Sequence, residues 1–203
     1  MQPITDIAQL DLNGSYTYAD YLLWQFQERL ELIKGHIFKM AAPSSLHQQI
    51  STHLTSLFFT YLRNKPCKVF AAPFDVRLVD FKKTTADNEV TTVVQPDICI
   101  ICDPAKIDRR GCIGAPDLIV EILSRGNTRK DLNDKFEVYE HNAVREYWIV
   151  HPNDATVTVF DFDSQLKKYQ LRKIYDAEEQ VAIGIFDNFY VNLPDVFEGL
   201  EDW

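Results

Sequence analysis

An α/β fold, a β-sheet flanked by helices, is what this sequence predicts, from two recurring patterns and one size limit. Short β-rich apolar runs at 93–102, 117–123, 146–150 and 156–162 read as strands. Between them, apolar residues at helical spacing follow capping signatures and read as amphipathic helices. With 203 residues, 46% hydrophobic and 12% aromatic, the chain can bury one sizeable core, so a single domain over 1–203 is expected. Residues 1–16 read as an N-terminal extension and 187–203 as an acidic, aromatic closing segment.

Each element follows from its local pattern. Thr17 with Asp20 resembles a capping box, and Ala19, Leu22, Leu23, Phe26 and Leu30 continue at helical spacing, predicting a first helix over 18–30. Residues 31–40 form a strand turned by Gly35. Ser45 with Gln48 opens a stronger helix whose stripe is Ile50, Leu54, Leu57, Phe58 and Tyr61, with His47 on the same inward face. After Pro66, 69–78 reads as a strand and 82–89 as a polar loop or hairpin tip. Turn-prone Asp103-Pro104 and Gly111 to Gly114 separate two acid-bearing strands, which suits a broad hairpin with its arms side by side. Thr128 with Asp131 starts a third helix striped by Leu132, Phe136, Tyr139 and Ala143. At about 100° per residue, Lys135 falls between Leu132 and Tyr139 and faces the sheet. Strands at 146–150 and 156–162 and a further one at 166–171 complete the pattern.

Charge and cysteine content narrow the function. A net charge of −9 argues against a coat that binds nucleic acid indiscriminately. Residues 106–130 nevertheless hold six bases against three acids, a basic rim in which Arg125, Arg129 and Lys130 are candidate phosphate contacts. The absence of a secretion signal or an apolar stretch long enough to cross a bilayer predicts a cytoplasmic protein with no membrane partner. Cys99 and Cys102 have a zinc-like spacer, but positions i and i+3 of a strand face opposite ways, so Cys67, Cys99, Cys102 and Cys112 read as small buried thiols.

The informative residues are acids inside apolar strands. A buried carboxylate costs too much to stand alone, so Asp97 after Gln95-Pro96, and Glu121 within Leu118-Ile119-Val120-Glu121-Ile122-Leu123, call for a partner or a metal. If both lie on one face of adjacent strands, their oxygens, the Ile122 carbonyl and waters supply the hard oxygen shell that Mg²⁺ prefers, with Mn²⁺ as an alternative. Lys135 then activates or orients a water for phosphodiester hydrolysis. His47 and Glu31 are expected to border this pocket. Asp117, beside a turn, reads as a cap, and Tyr139 and Trp148 as core.

These residues resemble a known family. Gln95-Pro96-Asp97, the run Gly114 to Ser124, Asp131, Lys135, Tyr139 and Glu146-Tyr147-Trp148-Ile149-Val150 look like the Uma family of putative restriction endonucleases, within the PD-(D/E)xK nuclease superfamily. Glu31-Leu32-Ile33, Gly35 and Met40 to Ser44 leading to His47 extend the likeness over 18–160. The resemblance implies a restriction endonuclease-like fold, a mixed central sheet flanked by helices, and a Mg²⁺-dependent nuclease acting on DNA, with RNA also open. Cutting both strands of a duplex implies a homodimer. One departure stands out: the superfamily places lysine two residues after the second acid, where this chain has Leu123, and Lys135 is the substitute from the adjacent helix. A catalytically silent binding module on the same fold is the competing expectation.

Overall fold

The computed structural model describes residues 2–40, 42–79, 86–124 and 129–200, with the backbone alone for 129–131. In chain order the elements are α1 (Tyr18–Tyr21), β1 (Leu30–Ile33), β2 (His36–Lys39), α2 (Ser45–Leu62), β3 (Lys68–Ala71), β4 (Val76–Arg77), β5 (Val93–Val94) and β6 (Ile98–Ile101). Then follow β7 (Ile107–Asp108), β8 (Gly111–Ile113), β9 (Leu118–Ile122), α3 (Arg129–His141), β10 (Glu146–His151), β11 (Thr156–Asp163), β12 (Lys168–Tyr175), β13 (Gln180–Ala182), β14 (Tyr190–Asn192) and α4 (Leu193–Phe197).

Among the described residues the strands form two six-stranded mixed sheets and one small hairpin. The central sheet runs β12-β11-β10-β9-β6-β3, with β9 and β10 parallel and every other pair antiparallel. The second runs β2-β1-β5-β4-β8-β7, and β13 pairs with β14. Because strand side chains alternate, the central sheet buries two different faces. Ile98, Ile100, Leu118, Val120 and Trp148 pack against Ile50, Leu54 and Phe58 of α2 and against α4. Cys99, Ile101, Ile119 and Tyr147 pack with Val138 and Tyr139 of α3 on the other side. The acid-bearing strands do lie side by side, but β7 and β8 leave the broad hairpin to join the second sheet.

Several local expectations are corrected. The first helix is a single turn, because Leu23 and Gln25 exchange hydrogen bonds with Ile4 and Trp24 packs among Tyr16, Tyr21 and Phe26. The apparent helical stripe is thus an aromatic cluster. Ser44, not Ser45, caps α2, its hydroxyl accepting the His47 N–H. The 31–40 segment is a tight hairpin, with both Lys34 and Gly35 at positive φ. The single strand expected at 69–78 is split into β3 and β4, and the one at 93–102 into β5 and β6 around Pro96. Cys67 and Cys102 are joined in a disulfide, since the β3–β6 register that pairs Lys68 with Ile101 brings them opposite each other; Cys99 and Cys112 remain buried thiols. The loop residues 80–85 and the Thr128 cap lie outside the described residues.

Gly111 locks the second sheet to the site. Its φ is +126°, and a Cβ there would stand 2.1 Å from the Asp75 carbonyl oxygen, which accepts the Cys112 N–H. Gly111→Ala is expected to cost about 2 kcal/mol or more. Gly199→Ala, at φ +70° with open space around the Cβ, is expected to cost about 1 kcal/mol. Denaturant midpoints of the two variants check the order.

Candidate active site

Glu31, His47, Asp97, Glu121, Ile122 and Lys135, drawn from four separate elements and a loop, line one cavity of about 580 Å³. The two acids meet because β6 and β9 are antiparallel with Ile98 opposite Val120, so one further step sets Asp97 across from Glu121 on the same face. Strand β6 starts only after Pro96. Beyond its end, the Asp97 side chain takes over the ladder, Oδ2 accepting the Ile122 N–H at 2.7 Å. The same oxygen lies 3.2 Å from His47 Nε2, which reaches it from the first turn of α2.

Glu121 points from the middle of β9 toward α3, and its Oε1 accepts from Lys135 Nζ at 2.9 Å and the Tyr139 hydroxyl at 2.6 Å. Burial pushes its carboxyl up to about 7, with the charges of Asp97 and Glu31 adding and Lys135 and the Tyr139 bond opposing. Lys135 also donates to Glu31 Oε1 at 3.0 Å. Burial would lower its ammonium, but the two carboxylates outweigh that and hold it well above the ordinary lysine value. Lys135 is therefore a fixed cation rather than a proton acceptor. For His47, burial acts downward, while the hydrogen bond and charge of Asp97, the charge of Glu121 and the Ile122 carbonyl leave its net value raised.

Two supporting residues were not foreseen in these roles. Gln95 donates its backbone N–H to Glu31 Oε1 at 2.7 Å, while its side chain accepts from Arg29 and donates to Asp75 and Tyr21. It holds Glu31 toward Lys135. Tyr139 is wholly buried yet polar in function, and its place one turn after Lys135 on the same stripe was the available signal. Asp117 is structural: it accepts the Cys102 N–H and pairs with Arg145. Glu146, in the family-like motif, accepts from Trp148 and Arg172 away from the cavity. Arg125 and the side chains of Arg129 and Lys130, the expected phosphate contacts, lie outside the described residues.

Hard-oxygen chemistry fits a small divalent cation here. Among the described residues Asp97 Oδ1 and Glu121 Oε2 carry no hydrogen bond, and no group of three or more His, Cys, Asp or Glu side chains is placed to hold a metal. Two carboxylates, one carbonyl and water meet the demand of Mg²⁺, which keeps much of its hydration.

Removing Lys135 would leave Glu31 and Glu121 buried without their cation, so Lys135→Ala is expected to lose about 3–5 kcal/mol, and Tyr139→Phe about 1.5–3 kcal/mol, in urea unfolding. The raised His47 value means that its contact with Asp97 stabilises fully below the ordinary 6.5 and is lost as pH rises through the folded value. The stability advantage of the parent over His47→Gln should accordingly be larger at about pH 6 than at about pH 9.

Comparison with known proteins identifies the fold and the family. A crystal structure of a putative nuclease belonging to DUF820 from Anabaena variabilis superposes with a TM-score of 0.69 at 18% identity, covering 91% of this chain and 99% of that one. The fold is thus restriction endonuclease-like. Uncharacterized protein slr1290 of Synechocystis is 27% identical over 188 residues, 89% of this chain and 90% of its own. A second Synechocystis protein, sll1609, is 27% identical over 139 residues, 66% of this chain and 73% of its own. The Uma2 family, described as putative restriction endonuclease, matches residues 18–193, and the chain belongs to that family.

Proposed function

We propose that this protein is a divalent metal-dependent endonuclease that hydrolyses phosphodiester bonds in DNA. The observation that carries the reading is the cross-strand pair Asp97 and Glu121, each with one carboxylate oxygen that carries no hydrogen bond among the described residues, beside the buried Lys135 ammonium. Asp97, Glu121 and the Ile122 carbonyl would hold Mg²⁺, or Mn²⁺ in its place. When bound, the ion supplies Lewis acidity toward a phosphoryl oxygen and lowers the pKa of water.

The protein's own groups do the rest. Lys135, fixed by Glu31 and Glu121, presents positive charge to the developing oxyanion without reorganising. Tyr139 fixes the orientation of Glu121, and the Ile122 N–H and His47 fix that of Asp97. His47 stands where a proton can be passed to or from a leaving oxygen. Membership of a nuclease family and the absence of any helix long and apolar enough to cross a membrane, among the described residues, support action on nucleic acid in the cytoplasm. Duplex cleavage would take a symmetric pair of such centres.

A second reading has its own support. Leu123 stands where the superfamily lysine would be, and Lys135 is already shared by two carboxylates, which suits a silent binding module. Supercoiled plasmid incubated with Mg²⁺ or Mn²⁺ separates the two. Nicking that falls about 100-fold in folded Glu121→Gln and Asp97→Asn is expected of the nuclease. No nicking, together with no calorimetric response to either metal, establishes the silent module.

A further inference from the structure

The cavity extends well past the carboxylates, along one face of α2. Gln48, Ser51, Thr52, Thr55, Ser56 and Phe59 line it, offset from the core residues Ile50, Leu54 and Phe58. From His47 to Phe59 this wall is roughly 18 Å long at helical rise. In a chain of net charge −9, residues 45–62 contain no Asp, Glu, Lys or Arg. The wall thus offers hydroxyls and an amide to a polyanion without repelling it. Across the groove stand Phe38, Lys39 and Met40 from the β1–β2 hairpin and the residue after it.

Three details point to an occupant. Phe59 is 59% exposed and lines the groove, a large apolar side chain left in solvent. His47 is only 8% exposed, yet among the described residues its Nδ1 has no hydrogen-bond partner, and neither does the buried Thr55 Oγ1. Buried polar atoms of this kind call for a ligand or water. The α2 N-terminus, free of acids in its first turn, opens on the same end.

Among the described residues cations are few. Lys135 is paired with Glu31 and Glu121, and Arg29 donates to the neutral Gln95, leaving Arg29 and Lys39 as the lining Lys and Arg side chains with no ion pair among the described residues. Duplex affinity depends on neutralising many phosphates, whereas an unpaired strand gains from stacking its bases on aromatic rings and is satisfied by fewer charges. We propose that the groove between α2 and the β1–β2 hairpin binds a single-stranded polynucleotide, one base stacking on Phe59 and the backbone running along the hydroxyl wall toward Asp97 and Glu121. This names the substrate form for the nuclease reading and rests on it for catalysis, though not for binding. A single strand requires no second active centre.

Fluorescence anisotropy of the full chain with a labelled 12-nucleotide DNA, the same RNA sequence and the corresponding DNA duplex, all in EDTA, tests it. The expected result is at least 10-fold tighter binding of one or both single strands than of the duplex. Phe59→Ala should weaken that binding by about 5-fold or more, with smaller losses for Lys39→Ala and Thr55→Val. Phe59 is exposed, so its variant should keep the parent's unfolding midpoint. Equal or tighter duplex binding, or no effect of Phe59→Ala, overturns the proposal, as does binding of no polynucleotide at all. Parallel incubation with Mg²⁺ keeps the two readings apart. Phe59-dependent single-strand binding without cleavage removes the nuclease and leaves the groove; duplex cleavage undiminished by Phe59→Ala does the reverse.

Discussion

The ammonium of Lys135, held between Glu31 and Glu121, is the contact on which the rest of the architecture turns. Glu31 belongs to the second sheet and Glu121 to the central one, so a single side chain on α3 joins both sheets to the helix. Without it two buried acids would face each other with no cation between them, and the ammonium in turn stays charged because those acids surround it. A buried, mutually dependent cluster of this kind is poorly justified by stability alone, since an apolar replacement of similar volume would pack as well. In the proposed nuclease it would keep a positive charge fixed beside the two carboxylates.

Backbone geometry prepares the other half of the site. Proline at position 96 ends one short strand and starts another, and the interruption frees the Ile122 N–H for the Asp97 side chain. Just before it, the Gln95 N–H goes to Glu31. The Gln-Pro-Asp sequence therefore serves both ends of the cluster: its first residue aims the acid that steadies Lys135, and its last supplies the acid opposite Glu121. Asp75 accepts from Gln95 through its side chain and from Cys112 through its backbone, so the β7–β8 hairpin bears on the same network from outside the cavity.

Charge is segregated around this centre. Acids dominate the chain, yet α2 contains no Asp, Glu, Lys or Arg, and the groove beside it is lined by hydroxyls and by Phe38 and Phe59. A ligand taken up there would draw more on stacking and hydrogen bonds than on released counterions, so far as the described residues go.

Alternation along 117–123 and the helical stripe over 129–141 determined which faces Glu121 and Lys135 would present, and both orientations hold, because such periodicities are properties of the local backbone. The same logic separated Cys99 from Cys102, whereas Asp117, on the face of Glu121, was set aside by its place beside a turn after Pro116. Which faces meet is a different matter. The β6–β9 register that opposes Asp97 to Glu121, the second sheet that delivers Glu31, the approach of His47 from the far side of the central sheet and the Cys67–Cys102 bridge all depend on strand order and contacts between distant segments. The 18–30 segment failed for the same reason: its apolar spacing fits a helix, but pairing with Ile4 and a cluster of aromatic rings, invisible to a local window, ended the helix after one turn.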